Sequence, residues 1–344
     1  MSDTGPVLSV EDLTTDFVSG GTVTHAVRGV SFELQPGDKL GIVGESGCGK
    51  SALALSIAQL IEPPGRTGGQ VRVNGRSITG LTERQLARVR GRQVSLIFQD
   101  PMDALDPVRT VGRQVAEAIR AHQARLSRPA LRRRMADLLD EVGVSADRAS
   151  HYPHQFSGGM RQRVMIAIAL ANDPDVVIAD EPTTALDATT QAQVLALLDR
   201  LASERGAAIV LISHDLGVVA GFCHRVRVMY AGRFVEGGDV GALVSRPAHP
   251  YTKGLLASRP SGHRASTGPL PSIPGLPPSL TDLPLGCPFA PRCPVGGGEE
   301  RCRTIPPPIV RPAGHPPGTF AECHFARYPT VDGGQTASES PDPG

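Results

Sequence analysis

Eight residues constrain this chain more than any others: Gly44-Glu45-Ser46-Gly47-Cys48-Gly49-Lys50-Ser51, which fit the phosphate-loop pattern G-x-x-x-x-G-K-S. The apolar run Leu40-Gly41-Ile42-Val43 before them reads as a buried strand, and Lys50 to about Ile61 reads as a helix. Strand, glycine loop and helix together make a phosphate cradle. Glycines let successive backbone N–H groups turn inward, and the helix N-terminus adds its positive end. The loop residues Gly44, Ser46, Gly47, Cys48 and Gly49 would line the nucleotide, Lys50 would reach its β- and γ-phosphates, and Ser51 would ligate Mg2+.

Three more segments repeat the alternation of apolar strand and helix. Strands are expected at Val94–Phe98, Val176–Ala179 and Ala208–Ile212, with a helix near Thr189–Glu204. A mostly helical stretch spans Thr110–Asn172 and carries Leu131, Met135, Leu138, Leu139 and Val142 at helical spacing. Such interleaving implies an α/β fold with a mostly parallel sheet covered on both faces. Val30–Leu34 and Gln70–Val73, with a turn at Asn74-Gly75, suggest a small antiparallel sheet on its flank. Composition shifts near Arg246: 19 of the 31 prolines lie between Pro247 and Pro329, which excludes long helices there and implies irregular, extended chain. The expected division is a nucleotide-binding domain over residues 1–258 with a helical subdomain at about 100–172. A Pro-rich, Cys-containing extension over 259–330 and a disordered tail over 331–344 follow.

Several function classes are disfavoured. A formal net charge of +1, 4% aromatic residues and no Trp give neither the field nor the stacking platforms of a nucleic-acid binder. The longest apolar run, Val164–Ala171, is far too short to span a bilayer. Met1-Ser2-Asp3-Thr4 does not resemble the start of a signal peptide, so a cytoplasmic setting is expected, where disulfides are rare. Of six cysteines, Cys48 and Cys223 stand alone, whereas Cys287, Cys293, Cys302 and Cys323 gather near the C-terminus.

The strand Val176–Ala179 runs into Asp180-Glu181, two carboxylates at the sheet edge where open α/β folds bind ligands. Asp180 is suited to hold Mg2+ and Glu181 to polarise an attacking water, although two acids after a strand also open many ordinary loops. Phe156-Ser157-Gly158-Gly159-Met160 leads straight into an apolar helix, which a flexible linker would not do. Here the chain resembles the ABC ATPases, which implies a RecA-like P-loop core with a flanking antiparallel β-subdomain and a helical subdomain. It also implies roles. Ser157, Gly158 and Gly159 would close on ATP held by an opposite subunit, Gln99 would contact Mg2+ and water, Asp187 in Ala185-Leu186-Asp187 would cross the dimer interface, and His214 would contact the γ-phosphate. Phe17 is a candidate adenine platform or else a core residue of an early strand.

Within that family the chain resembles the ATPase subunits of oligopeptide and dipeptide importers, a subgroup that also serves nickel and other small solutes. The resemblance rests on Tyr152 to Arg163, on His249-Pro250-Tyr251-Thr252 and on Gly286-Cys287-Pro288-Phe289-Ala290-Pro291-Arg292-Cys293-Pro294. The four cysteines are spaced C-x5-C-x8-C-x20-C, and four thiolates in a core-poor tail suggest a metal staple. The resemblance implies a 4Fe-4S cluster; Zn2+ and unligated thiols are the alternatives. It further implies two separate permease subunits, a second ATPase subunit (a similar but distinct chain, or an identical one), an extracytoplasmic solute-binding protein, and a station on the cytoplasmic face of the plasma (inner) membrane. A non-transport ABC ATPase and a nucleotide-switched metal sensor are the rival readings.

Overall fold

Alternating burial along the strands assigns every second side chain to one of two cores, and the layers follow from that. The structure, a computed structural model, describes residues 5–184, 186–258 and 272–326. Its strands are β1 (Leu8–Ser19), β2 (Thr22–Leu34), β3 (Lys39–Val43), β4 (Arg66–Val73), β5 (Arg76–Ser77), β6 (Val94–Ile97), β7 (Val176–Asp180), β8 (Ala208–Ser213), β9 (Arg225–Tyr230), β10 (Arg233–Asp239), β11 (Ile309–Val310) and β12 (Phe320–Glu322). The main sheet has the order β11-β12-β10-β9-β3-β8-β7-β6. From β6 to β9 its pairings are parallel, with Leu40 opposite Val210 and Val210 opposite Ile178. The remaining pairings, out to β11, are antiparallel.

On one face Leu40, Ile42, Val176, Ile178, Val210 and Ile212 pack with Leu53, Ala54 and Ile57 of the helix Lys50–Ile57 and with the second sheet. On the other, Val43, Val177, Ala179, Ile209 and Leu211 meet the helices Gly158–Leu170 and Ala188–Glu204. Burial on both faces is what continuous β-branched runs require. The second sheet, ordered β2-β1-β4-β5, is antiparallel, and Asn74 and Gly75 both take left-handed backbone in the tight β4–β5 turn. The expected antiparallel flank is therefore present, although its longest contacts come from β1, which periodicity did not single out. Register shifts near Asp12, itself at φ +45, break the alternation of β1.

The helical stretch resolves into Val111–His122, Arg128–Glu141 and Gly158–Leu170, with two short 3-10 turns between the last two. Leu131, Leu138, Leu139 and Val142 are buried as their spacing requires, and Met135 is half-buried against the same core. The helix after the phosphate loop is shorter than its sequence pattern: it stops at Ile57, and Gln59 at φ +55 turns the chain away. Among the described residues, no helix is long and apolar enough to cross a membrane.

Over residues 272–326 the extension is largely irregular, as its prolines imply, with only short elements, and it docks on the cassette. Residues 309–310 and 320–322 add β11 and β12 to the main sheet through Glu236 opposite Ala321, and Phe289 is 2% exposed within the large core. Two short strands and one buried ring thus tie an otherwise irregular chain to the cassette. Residues 259–271 and the expected disordered tail 331–344 lie outside the described residues.

Candidate nucleotide site

The loop after β3 is shaped by two contacts that exclude side chains. Gly49 sits at φ +108, and a Cβ there would stand 2.0 Å from the Ala26 carbonyl oxygen; at Gly44 it would stand 2.2 Å from that of Met229. The loop is thereby pressed onto β2 and β9, leaving Ser46 and Gly47 exposed at its tip. Lys50 folds over this turn and donates to the carbonyl oxygens of Gly44 and Glu45 at 2.8 and 2.9 Å. Its ammonium is thus held at the mouth of the cradle. Cys48 is buried 4.0 Å from Lys50 Nζ, and burial pushes its thiol up, which disfavours the reactive thiolate.

Asp180 ends β7 at the sheet edge. Its Oδ1 is buried without a hydrogen-bond partner, and Ser51 hydrogen-bonds the carboxylate. Desolvation pushes its pKa up, a cost that a cation beside it would remove. An orphaned carboxylate oxygen next to a hydroxyl is the donor set that Mg2+ takes. The residues present fit that ion.

Glu181 follows in left-handed backbone, φ +45, a conformation that costs about 1–3 kcal/mol for a residue with a side chain. That backbone brings the carboxylate among four donors. His214 Nδ1 lies 3.0 Å from Oε2, Thr184 Oγ1 donates to it at 2.9 Å, Gln99 Nε2 donates at 3.5 Å, and Lys50 Nζ stands 3.9 Å from Oε1. Four stations scattered over 165 positions of sequence thus meet at one carboxylate. Sequence reasoning missed Thr184, whose signal is its place three residues after Glu181 in the turn that closes β7. It also missed Tyr251, whose hydroxyl accepts the Glu45 N–H at 2.8 Å.

A cleft of about 900 Å3 opens beside this centre, lined by Ser51, Gln99, Asp180, Gly158, Arg161 and Leu186 among others. Ser157 caps the helix Gly158–Leu170 through the Met160 N–H, and Ser157 and Gly158 are exposed. Gly159 is required by packing, since a Cβ would come 2.5 Å from Thr190 Cγ2. Asp187 caps the next helix, accepting from Thr189 N, Thr190 N and Thr190 Oγ1, and these bonds hold its carboxyl below the usual range. Ala185 lies outside the described residues. Phe17 is on β1 opposite Thr24, half-buried with its ring edge against Gly65, and stands outside the group around Glu181.

The expected four-cysteine metal centre is not assembled. Among the described residues, no three His, Cys, Asp or Glu side chains converge closely enough to hold a metal ion. The four thiols are free and share one neighbourhood nonetheless. Burial pushes Cys287 up to about 12, with Cys323, Cys302 and Cys293 adding to the rise. Gly296 N–H points to Cys293 Sγ at 3.2 Å and Phe325 N–H to Cys323 Sγ at 3.4 Å. The donor chemistry suits a thiolate-bound metal.

Comparison with known proteins adds to this geometry. Residues 27–184 match the ABC transporter family, and residues 235–302 match the oligopeptide/dipeptide transporter C-terminal region. The oligopeptide transport ATP-binding protein OppD of Mycobacterium tuberculosis is 49% identical over 307 residues, covering 89% of this chain and 50% of that protein. The chain thus spans half the length of the mycobacterial relatives it matches. A probable peptide ABC transporter ATP-binding protein of Sinorhizobium fredii is 50% identical, covering 86% of this chain and 89% of its own length. The dipeptide transport ATP-binding protein DppD of Bacillus subtilis is 47% identical, covering 84% and 87%. Among solved structures, the dimeric ATP-binding cassette MJ0796 in a post-hydrolysis state with ADP and Pi is 29% identical, with a TM-score of 0.61 over 68% of this chain and 98% of that one. With a RecA-like α/β core, an antiparallel flank and a helical part arranged around one phosphate loop, the chain belongs to the ABC transporter family of ATP-binding proteins, in the branch that carries the oligopeptide/dipeptide transporter C-terminal region.

Proposed function

We propose that this chain hydrolyses ATP to drive import of oligopeptides or dipeptides through separate transmembrane permease subunits. The observation that carries the hydrolytic part is the convergence of Lys50, Gln99, Thr184 and His214 on the Glu181 carboxylate, beside the orphaned Asp180 oxygen. In this reading Glu181 accepts a proton of the attacking water, and His214 and Gln99 hold that carboxylate in place. Lys50 and the N–H groups of Gly44, Ser46, Gly47, Cys48 and Gly49 bind the phosphates. Mg2+, held by Asp180 and Ser51 with Gln99 near, would neutralise charge developing on the phosphoryl oxygens. Phe17 is assigned to adenine.

Ser157, Gly158, Gly159 and Asp187 belong to the second half of a shared site. The exposure of Ser157, Gly158 and Asp187 supports closure against another ATPase subunit, which is a similar but distinct chain or a second copy. The names of the relatives support peptides as cargo, with nickel or another small solute as the runner-up. The assembly would sit on the cytoplasmic face of the inner membrane, fed by an extracytoplasmic solute-binding protein. The division into a cassette over 1–258, with its helical part at about 100–172, and an extension over 259–330 belongs to the same reading. The test is affinity purification of the tagged chain from detergent-solubilised membranes: multi-span permease subunits should co-purify. ATPase activity that instead tracks ribosomes or DNA would overturn the transport reading.

For the extension we propose a 4Fe-4S cluster held by Cys287, Cys293, Cys302 and Cys323, the shared neighbourhood and the N–H groups facing two sulfurs being its support. Protein prepared without oxygen is expected to be brown, with about four iron and four sulfide per chain. Zinc without iron would sink the cluster.

A further inference from the structure

Glu45 places a carboxylate inside the loop that has to accept a polyphosphate. Every polar group of this residue is engaged. Its N–H donates to Tyr251 Oη at 2.8 Å, its carbonyl oxygen accepts from Lys50, and its carboxylate receives two bonds from Arg292, at 2.6 Å to Oε2 and 2.9 Å to Oε1. Arg292 comes from the C-terminal extension, 247 positions away. Its guanidinium is itself fixed, with a 5% exposed side chain, Nε donating to the Pro274 carbonyl oxygen at 2.8 Å, and the Tyr230 hydroxyl at 3.4 Å. A planar, two-pronged and immobilised cation matches a carboxylate in a way a mobile lysine would not.

An unpaired carboxylate at this position would repel the phosphates that the glycine loop attracts, and low local dielectric would strengthen the repulsion. We propose that Arg292 is a positioning residue for nucleotide binding: it holds and neutralises Glu45, so that the phosphate loop presents its N–H groups to nucleotide without an opposing charge. The inference rests on the ATP-binding reading above. It makes the extension part of the nucleotide site, reaching the loop through a side chain whose next neighbour is Cys293.

The bland competitor is an anchor, in which the ion pair only ties the extension to the cassette. Charge removal separates the two. The affinity of the full-length chain for Mg2+ and the non-hydrolysable analogue AMP-PNP is measured by calorimetry, alongside thermal unfolding. Arg292→Ala is expected to weaken binding by on the order of tenfold or more, because it strands the Glu45 charge. Glu45→Gln is expected to bind at least as well as wild type while unfolding at a lower temperature, since it leaves the buried Arg292 half-paired. The double variant Glu45→Gln/Arg292→Ala should recover wild-type affinity to within about threefold. If Arg292→Ala does not fold, Arg292→Met, which keeps most of the side-chain volume, carries the same comparison. Wild-type affinity in the arginine variant, or weakening that persists in the double variant, overturns the proposal in favour of an anchor. A wild-type chain that fails to bind AMP-PNP overturns the ATP reading itself.

Discussion

Glu181→Gln is expected to bind ATP normally and to hydrolyse it about a hundred- to a thousandfold more slowly than wild type. The substitution keeps shape and volume, so the bonds from Thr184 and Gln99 have an amide oxygen to meet, while the acceptor for a water proton is lost. Lys50, the loop and Asp180 are untouched, which is why affinity should hold. A centre that binds without turning over would also lock any closed pair of subunits, so size-exclusion chromatography with Mg2+ and ATP should show a dimer that wild type forms only transiently. Turnover at the wild-type rate would remove Glu181 from the base role, whatever His214 does beside it.

The legible part of this site is the part written in contiguous residues. Gly44–Ser51 and Asp180-Glu181 each stand at the end of an apolar strand, and strand ends in a parallel sheet share one edge, so periodicity alone brings Lys50 near Glu181. His214 follows the same logic, one residue beyond β8. The Glu181 backbone at φ +45 was not legible, because nothing in a run of β-branched residues signals a left-handed turn at its end. Nor was Tyr251, a tyrosine on a short helix whose hydroxyl only tertiary packing could bring to Glu45. The cysteines show the converse. Spacing announced four thiols in one segment, but ligand geometry depends on distances that spacing does not encode.

The extension builds little core of its own, and what its docking on the cassette contributes to stability is measurable. Phe289 lies 5.3 Å from the Tyr230 ring, 5.4 Å from that of Tyr251 and 5.9 Å from His249, all buried. These partners belong to β9 and to the segment that enters the helix Pro250–Ala257, so the ring fills a hole in the cassette from the extension. His249 marks how dry the place is: burial drives its imidazole down to about 3, leaving it neutral with Nδ1 accepting the Tyr251 N–H. Phe289→Ala would leave a cavity lined by rings that cannot collapse, at a cost of about 3–5 kcal/mol. For a chain of this size that corresponds to a fall of roughly 4–7 °C in the main unfolding transition. An independent appendage would behave differently, since the variant would then lose a small early transition and keep the large one in place. Calorimetry of the full-length variant distinguishes them, and a main transition within about 2 °C of wild type would mean that the extension folds apart from the cassette. A large shift would mean that the segment bearing Arg292 and Cys293 is built into the wall of the nucleotide-binding core.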